Sequence, residues 1–204
     1  LAWGFSYVLP SWERRALPKA IDRAMQALRE YAAHSLSGDA DAALAQRLAR
    51  RSAYDALGAI AGAVKRSAFE PPAVRPPVHE LTVLLDHGQR LMAHLSMIRL
   101  MRAKGGEALR SPEAIGALRE AGRALQASLD TGVPGTDLPD LPGLPGLELL
   151  PAEPPAEDLL PWLLRRLEVA AAEGPAIARA ANAALAALGK SRTMGYKAAS
   201  GGIR

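Results

Sequence analysis

The sequence predicts an all-α fold, an antiparallel helical bundle of four to five helices with a Pro-rich insertion and a disordered basic tail. Three observations lead there. The apolar residues make up 49% of the 204 and are mostly Ala and Leu, which favour helix. Aromatic residues are only 4%, and no stretch alternates apolar and polar over strand length. Apolar residues recur instead at three- and four-residue steps, in segments separated by Gly and Pro.

Ser11 follows Pro10 and is placed to cap a first helix. Its apolar face is Leu17, Ile21, Ala24, Leu28 and Tyr31, and Ser37-Gly38 end it. Pro18 is expected to kink this helix or to start its regular part. The second helix is expected over about 40–68, with the small-residue seam Ala45, Ala49, Ala53, Ala56, Leu57, Ile60 and Val64. The run EPPAVRPP then stops it, because proline lacks the backbone N–H that a helix needs.

A third helix starts near Val78 and carries Leu81, Leu84, Leu85, Gly88, Leu91, Met92, Leu95 and Ile98 as a bundle-facing stripe, ending at Lys104-Gly105-Gly106. Ser111-Pro112-Glu113 opens a fourth, giving a cap, a proline at the first helical position and an acid near the positive end of the helix dipole. Its seam is Ile115, Leu118, Gly122, Leu125 and Leu129, and Gly132 closes it. Residues 133–156 hold seven of the 16 prolines and read as an extended linker of polyproline character. A C-terminal helix is expected over 157–188, bent or broken at Gly174-Pro175. The tail 189–204 is expected to be disordered. Residues 11–132 would then form the bundle core, with the last helix packed on it.

The formal charge of +4 does not point to nucleic acid. Lys190, Arg192, Lys197 and Arg204 lie in the tail, which has no acids. Without it the chain carries 21 basic and 21 acidic side chains. The chain has no Cys, which excludes disulfides and thiolate metal sites. No run reaches the roughly 20 apolar residues that span a bilayer.

Several catalytic signatures are incomplete. Gly189-Lys190-Ser191 looks like the end of a phosphate-binding loop, but Ala184 stands where the first Gly belongs and a helix precedes it. His79-Glu80 begins a zinc-protease pattern whose second His would be at Val83. A di-iron bundle needs Glu three residues before His, and those positions are Tyr31, Pro76, Leu84 and Leu91. No enzyme activity, cofactor or metal is expected. His87 and His94 lie seven apart, on nearly one side of the third helix, as helix-edge residues bonded to a neighbour or water, with a ligand or relay role as the sharper alternative.

Two basic groups stand out. Arg47, Arg50 and Arg51 are candidate anion contacts, set against an ordinary solvated helix face. Arg14, Arg15, Lys19 and Arg23 follow the opening apolar run LAWGFSYVL, with Trp3, Tyr7 and Trp12 around the junction. Basic residues and interfacial aromatics at that place are what the cytoplasmic side of a membrane exit carries. Residues 1–10 are therefore expected to end a transmembrane helix or form a juxtamembrane segment, with Trp3, Tyr7, Trp12, Arg14, Arg15 and Lys19 at the membrane interface. The competing reading is an apolar arm packed on the bundle.

YVLPSWERRALPKAIDRAMQALREY resembles the exit from the last membrane helix of the fusaric acid resistance-like (FUSC) family. RLARRSAYDALGAIAGAVKRSAFEPP and GQRLMAHLSMIRLMR resemble the two helices that follow in its cytosolic C-terminal region. The likeness covers about the first half of the chain. It departs from the family at Asp55, where Asn is more usual. It implies a bacterial inner-membrane protein with this segment on the cytoplasmic side, and some members resemble exporters of aromatic carboxylic acids. The chain would be an assembly or regulatory module rather than the translocation path, joined to the membrane through a preceding part and forming a homo-oligomer. The alternatives are sampling of anionic substrate through its arginines, or a free-standing soluble helical interaction module.

Overall fold

The computed structural model describes residues 10–37, 43–67, 70, 75–105, 108–131 and 159–200. Five α-helices follow one another: α1 (Pro10–Leu36), α2 (Ala43–Ser67), α3 (Val78–Lys104), α4 (Pro112–Thr131) and α5 (Leu160–Ser200). A single 3-10 turn, Ala108–Arg110, precedes α4, and no strand occurs among the described residues. The all-α bundle is as the sequence predicts.

The apolar stripes become the core. On α1, Leu17, Ile21, Ala24, Leu28 and Tyr31 are all buried. On α3, every member of the stripe is buried except Leu85, which packs against the core from its edge. On α2 the seam is rotated slightly from the expected one. Gln46 and Ala63 are buried, whereas Ala45 and Val64 are only partly so. Gln46 is tolerated because its amide donates to Ser35 Oγ at 3.1 Å. On α4, Ala114, Ala117, Ala121 and Ser128 join Leu118, Leu125 and Leu129 inside, and Ile115 and Gly122 lie at the rim.

The helix ends follow local chemistry. Ser111 Oγ accepts the backbone N–H of Ala114 at 3.2 Å, the N-cap bond its position calls for. The N–H of Gly105 closes α3 on the Met101 carbonyl at 2.7 Å. A Cβ on Gly105 would meet the side chain of Leu109, so the missing side chain lets Leu109 pack into the core.

Neither internal proline breaks its helix. α1 is continuous on both sides of Pro18, and α5 is continuous through Gly174-Pro175. Proline in a helix interior costs about 3 kcal/mol. Burial on both sides offsets it. Leu163, Leu167 and Ala170 precede Pro175, and Ile177, Ala178 and Ala181 follow it, all buried. Each fully buried leucine or isoleucine contributes roughly 1.5–3 kcal/mol. α5 also begins at Leu160 rather than 157, and its backbone stays helical to Ser200, past the expected end at Leu188. The tail from Gly189, expected to be disordered, therefore continues α5 over most of its length. It holds no proline, and isolated glycines cost only about 1 kcal/mol each in a helix. The Pro-rich linker 133–156 and residues 201–204 lie outside the described residues.

The contacts fix the helix directions. Gln46 meets Ser35, so α2 runs back along α1. Tyr31 bonds Ser96, and Arg102 reaches the Ser35 carbonyl, so α3 runs parallel to α1. Arg29 pairs with Asp130 while Leu36 faces Gly122, so α4 is antiparallel to α1. His87 meets Glu173 and His94 meets Arg166, so α5 is antiparallel to α3, and hence to α1. It follows that α4 and α5 run in the same direction. The end of α4 lies partway along the bundle, beside Arg29 of α1 and the middle of α5, while α5 starts near the end where α1 stops.

Candidate functional site

Two polar pairs mark the seam between α3 and α5. His87 Nδ1 lies 2.5 Å from Glu173 Oε2, and Glu173 is buried. One heptad away on each helix, Arg166 Nη1 lies 3.2 Å from His94 Nδ1. The guanidinium has only protons to give, so His94 Nδ1 accepts and its ring is the neutral Nε2–H tautomer in this bond. Facing a carboxylate, His87 Nδ1 donates. Two histidines on one helix face thus use the same ring atom in opposite roles.

Burial holds His94 below its ordinary value of 6.5, helped by the Arg166 and Arg90 guanidinium groups and opposed by Glu173. Burial likewise lowers the basicity of Arg102, whose guanidinium donates to the Ser35 carbonyl at 3.4 Å. The seam is a positioning device. Its two polar pairs are satisfied in one register of α3 against α5 and would be orphaned by a shift of either helix.

A cleft of about 370 Å³ opens where α1, α4 and α5 meet. Met25, Leu129 and Leu185 form its apolar side, and Asp22, Gln26 and Asn182 its polar side. Arg29 crosses it to Asp130 at 2.6 Å and also donates to the Leu129 carbonyl. A second, more open groove of about 510 Å³ lies between the end of α1 and the middle of α4. Neither brings a nucleophile and a base together, and among the described residues no three His, Asp or Glu side chains are grouped to hold a metal ion.

The residues singled out from the sequence fall in three places. Arg47 and Arg51 are exposed on α2, and Arg51 faces Asp55 at 3.7 Å. Arg50 lies over the Tyr54 ring, 5.5 Å from its centre. Arg47 and Arg51 are thus exposed and Arg50 half-buried on α2. Arg15 and Lys19 are exposed in the first turns of α1, while Arg14 is half-buried, its Nε lacking a hydrogen-bond partner. Trp12 belongs to the first turn of α1 by its backbone, and Trp3 and Tyr7 lie outside the described residues. No described helix is long and apolar enough to cross a membrane. Sequence reasoning found His87 and His94 but missed their partners. The available signal was that Arg166 and Glu173 repeat the same seven-residue spacing on α5.

The fold and seam define a five-helix bundle with a register-locked helix pair and large apolar side chains on its outside. No protein-family model, curated protein or solved structure matches this chain.

Proposed function

We propose that this chain is the cytosolic C-terminal helical region of a FUSC-type bacterial inner-membrane exporter, and that it serves as the assembly module of that protein. The observation that carries the assembly role is the exposure of Leu44, Leu48, Met97 and Leu100. Leu44 and Leu48 flank Gln46, and Met97 and Leu100 precede Arg102. Gln46 and Arg102 both reach Ser35, so all four apolar side chains lie at the end of the bundle where α1 stops. Leucine and methionine at 41–61% exposure fit a surface that a second copy covers.

The opposite end supports the membrane reading. Arg14, Arg15 and Lys19 lie there, Arg15 and Lys19 exposed to solvent. Exposed basic residues at one end of a bundle suit the anionic cytoplasmic leaflet. We read the seam between α3 and α5 as part of the scaffold that sets the two ends apart.

Two measurements test this. Light scattering across a concentration series should show self-association that Leu48→Glu with Met97→Glu abolishes without unfolding the chain. A monomer at all concentrations would remove the assembly role. The reading frame upstream of Leu1 should encode several apolar segments of spanning length. A start codon immediately before Leu1 would remove the membrane reading and favour a free-standing interaction module.

A further inference from the structure

We propose, resting on the assembly reading above, that α2 pairs with α2 of a second copy, antiparallel and about a two-fold axis at the level of Ala53. Leu44, Leu48, Arg51, Asp55, Gly58 and Gly62 recur at alternating steps of four and three residues. That spacing draws one stripe along a helix. The buried residues Ala49, Ala53, Ala56, Ile60 and Ala63 face the core from the other side of α2. The stripe is exposed along its length, with only Gly62 half-buried.

Nothing in the described single chain accounts for these residues. Leu44 and Leu48 keep more than half of their surface in water. Among the described residues nothing lies within 4 Å of a Cβ built on Gly58, and one on Gly62 meets first the guanidinium of Arg66, on the same helix. Glycine weakens a helix relative to alanine, so two of them on an open face are a cost without a return in the single chain. Arg51 and Asp55 stand 3.7 Å apart at 83% and 73% exposure, where an ion pair contributes little.

The stripe is complementary to itself when reversed. With two α2 helices antiparallel about Ala53, Leu48 stands opposite Gly58 of the second copy, and Leu44 opposite Gly62. Each exposed leucine meets a position without a side chain, a fit that lets helix axes approach to about 8 Å. Arg51 meets Asp55 of the second copy, and the two-fold axis repeats the contact. A parallel pair would instead set Arg51 on Arg51, Asp55 on Asp55 and glycine on glycine, losing both the charge match and the fit. Desolvating the charged centre weakens the pair, and the same charges fix its direction and register.

The absence of cysteine makes the test direct. Under mild oxidation, Leu48→Cys chain mixed with Gly58→Cys chain should give a disulfide-linked dimer, while neither variant links to itself. In the antiparallel pair the two copies of residue 48 stand about 15 Å apart along the axis, beyond the reach of a disulfide. Arg51→Glu alone and Asp55→Arg alone should each raise the dissociation constant of the dimer at least about tenfold, because like charges then meet. The double swap R51E/D55R should restore it to within about threefold. Circular dichroism checks that every variant stays helical. Self-association in light scattering without the mixed 48–58 link, or with Leu48→Cys linking to itself, would overturn this pairing and leave the assembly reading standing. Single charge variants that associate like the native chain would do the same. A native chain that is monomeric at every concentration would overturn both.

Discussion

Glu173 Oε2 and His87 Nδ1 lie 2.5 Å apart across the α3–α5 contact, and the carboxylate is buried while the imidazole edge is partly wet. With Arg166 and His94 seven residues along, this pair holds α5 to one height on α3. Glu173→Ala leaves the His87 N–H short of its acceptor inside the seam, and a lost partner of this kind costs about 1–3 kcal/mol. Denaturant unfolding should show that loss for Glu173→Ala, and less for Glu173→Gln, which keeps an acceptor. A double-mutant cycle with His87→Ala should return a coupling of about 0.5–3 kcal/mol. Additive single losses would show that the two side chains stabilise the bundle independently.

Glycine substitutions separate close approach from helix propensity. A Cβ on Gly174 would run into Ser128 Oγ and crowd Leu125, where α5 touches α4. Gly174→Ala gains about 1 kcal/mol of helix propensity. It loses about 1–3 kcal/mol to overpacking. The net expected is a loss, partly recovered when Ser128→Ala removes the hydroxyl. Gly58 and Gly116 have open space where a Cβ would go. Gly58→Ala and Gly116→Ala should each stabilise by about 0.5–1 kcal/mol. Thermal unfolding of the four variants checks the signs.

Much of this fold is written at three- and four-residue spacing. The stripes on α1 and α3 are buried almost residue for residue, and the Ser111 cap forms as its place before Pro112 requires. What the spacing does not encode is how a helix is rotated when its face is mostly alanine. On α2 and α4 the small residues 45, 49, 53, 114, 117 and 121 give little contrast around the helix, so Gln46 and Ser128 come to lie inside on tertiary grounds. Local propensity allows a kink or a helix start at Pro18 and a bend or a break at Gly174-Pro175, and packing on both sides keeps both helices continuous. The seam was half legible: the histidine spacing stands out on α3, whereas Arg166 and Glu173 look like ordinary charges on a long helix until α5 is set antiparallel to α3.

The cap on α4 offers a contained test of local encoding. Ser111→Ala removes the acceptor of the Ala114 N–H and should cost about 1 kcal/mol, within the 0.5–2 kcal/mol range of such caps. Ser111→Asp should restore it, since a carboxylate there also faces the positive end of the helix dipole. Ser52, exposed in the middle of α2, provides the control, because Ser52→Ala should be neutral or slightly stabilising. Chemical denaturation of the three variants is the measurement. A loss at Ser52 as large as that at Ser111 would show that the cap is not the cause.

The pH dependence of stability follows from His94. Its folded-state pKa is lowered by burial, by Arg166 and by Arg90, while Glu173 acts the other way. The native ring is therefore neutral where the unfolded ring has begun to bind a proton. Stability rises with pH wherever the unfolded chain holds more protons. The contribution of His94 is thus fully present above 6.5, falls as the pH drops below that value, and stops changing once the pH is below the lowered folded pKa. His94→Gln keeps an acceptor for Arg166 and does not titrate. Unfolding free energies measured at steps from pH 7.5 to 5 should fall more steeply for the native chain than for His94→Gln. Equal slopes would assign the acid sensitivity to carboxylates instead, with the Arg29–Asp130 pair as the next to vary.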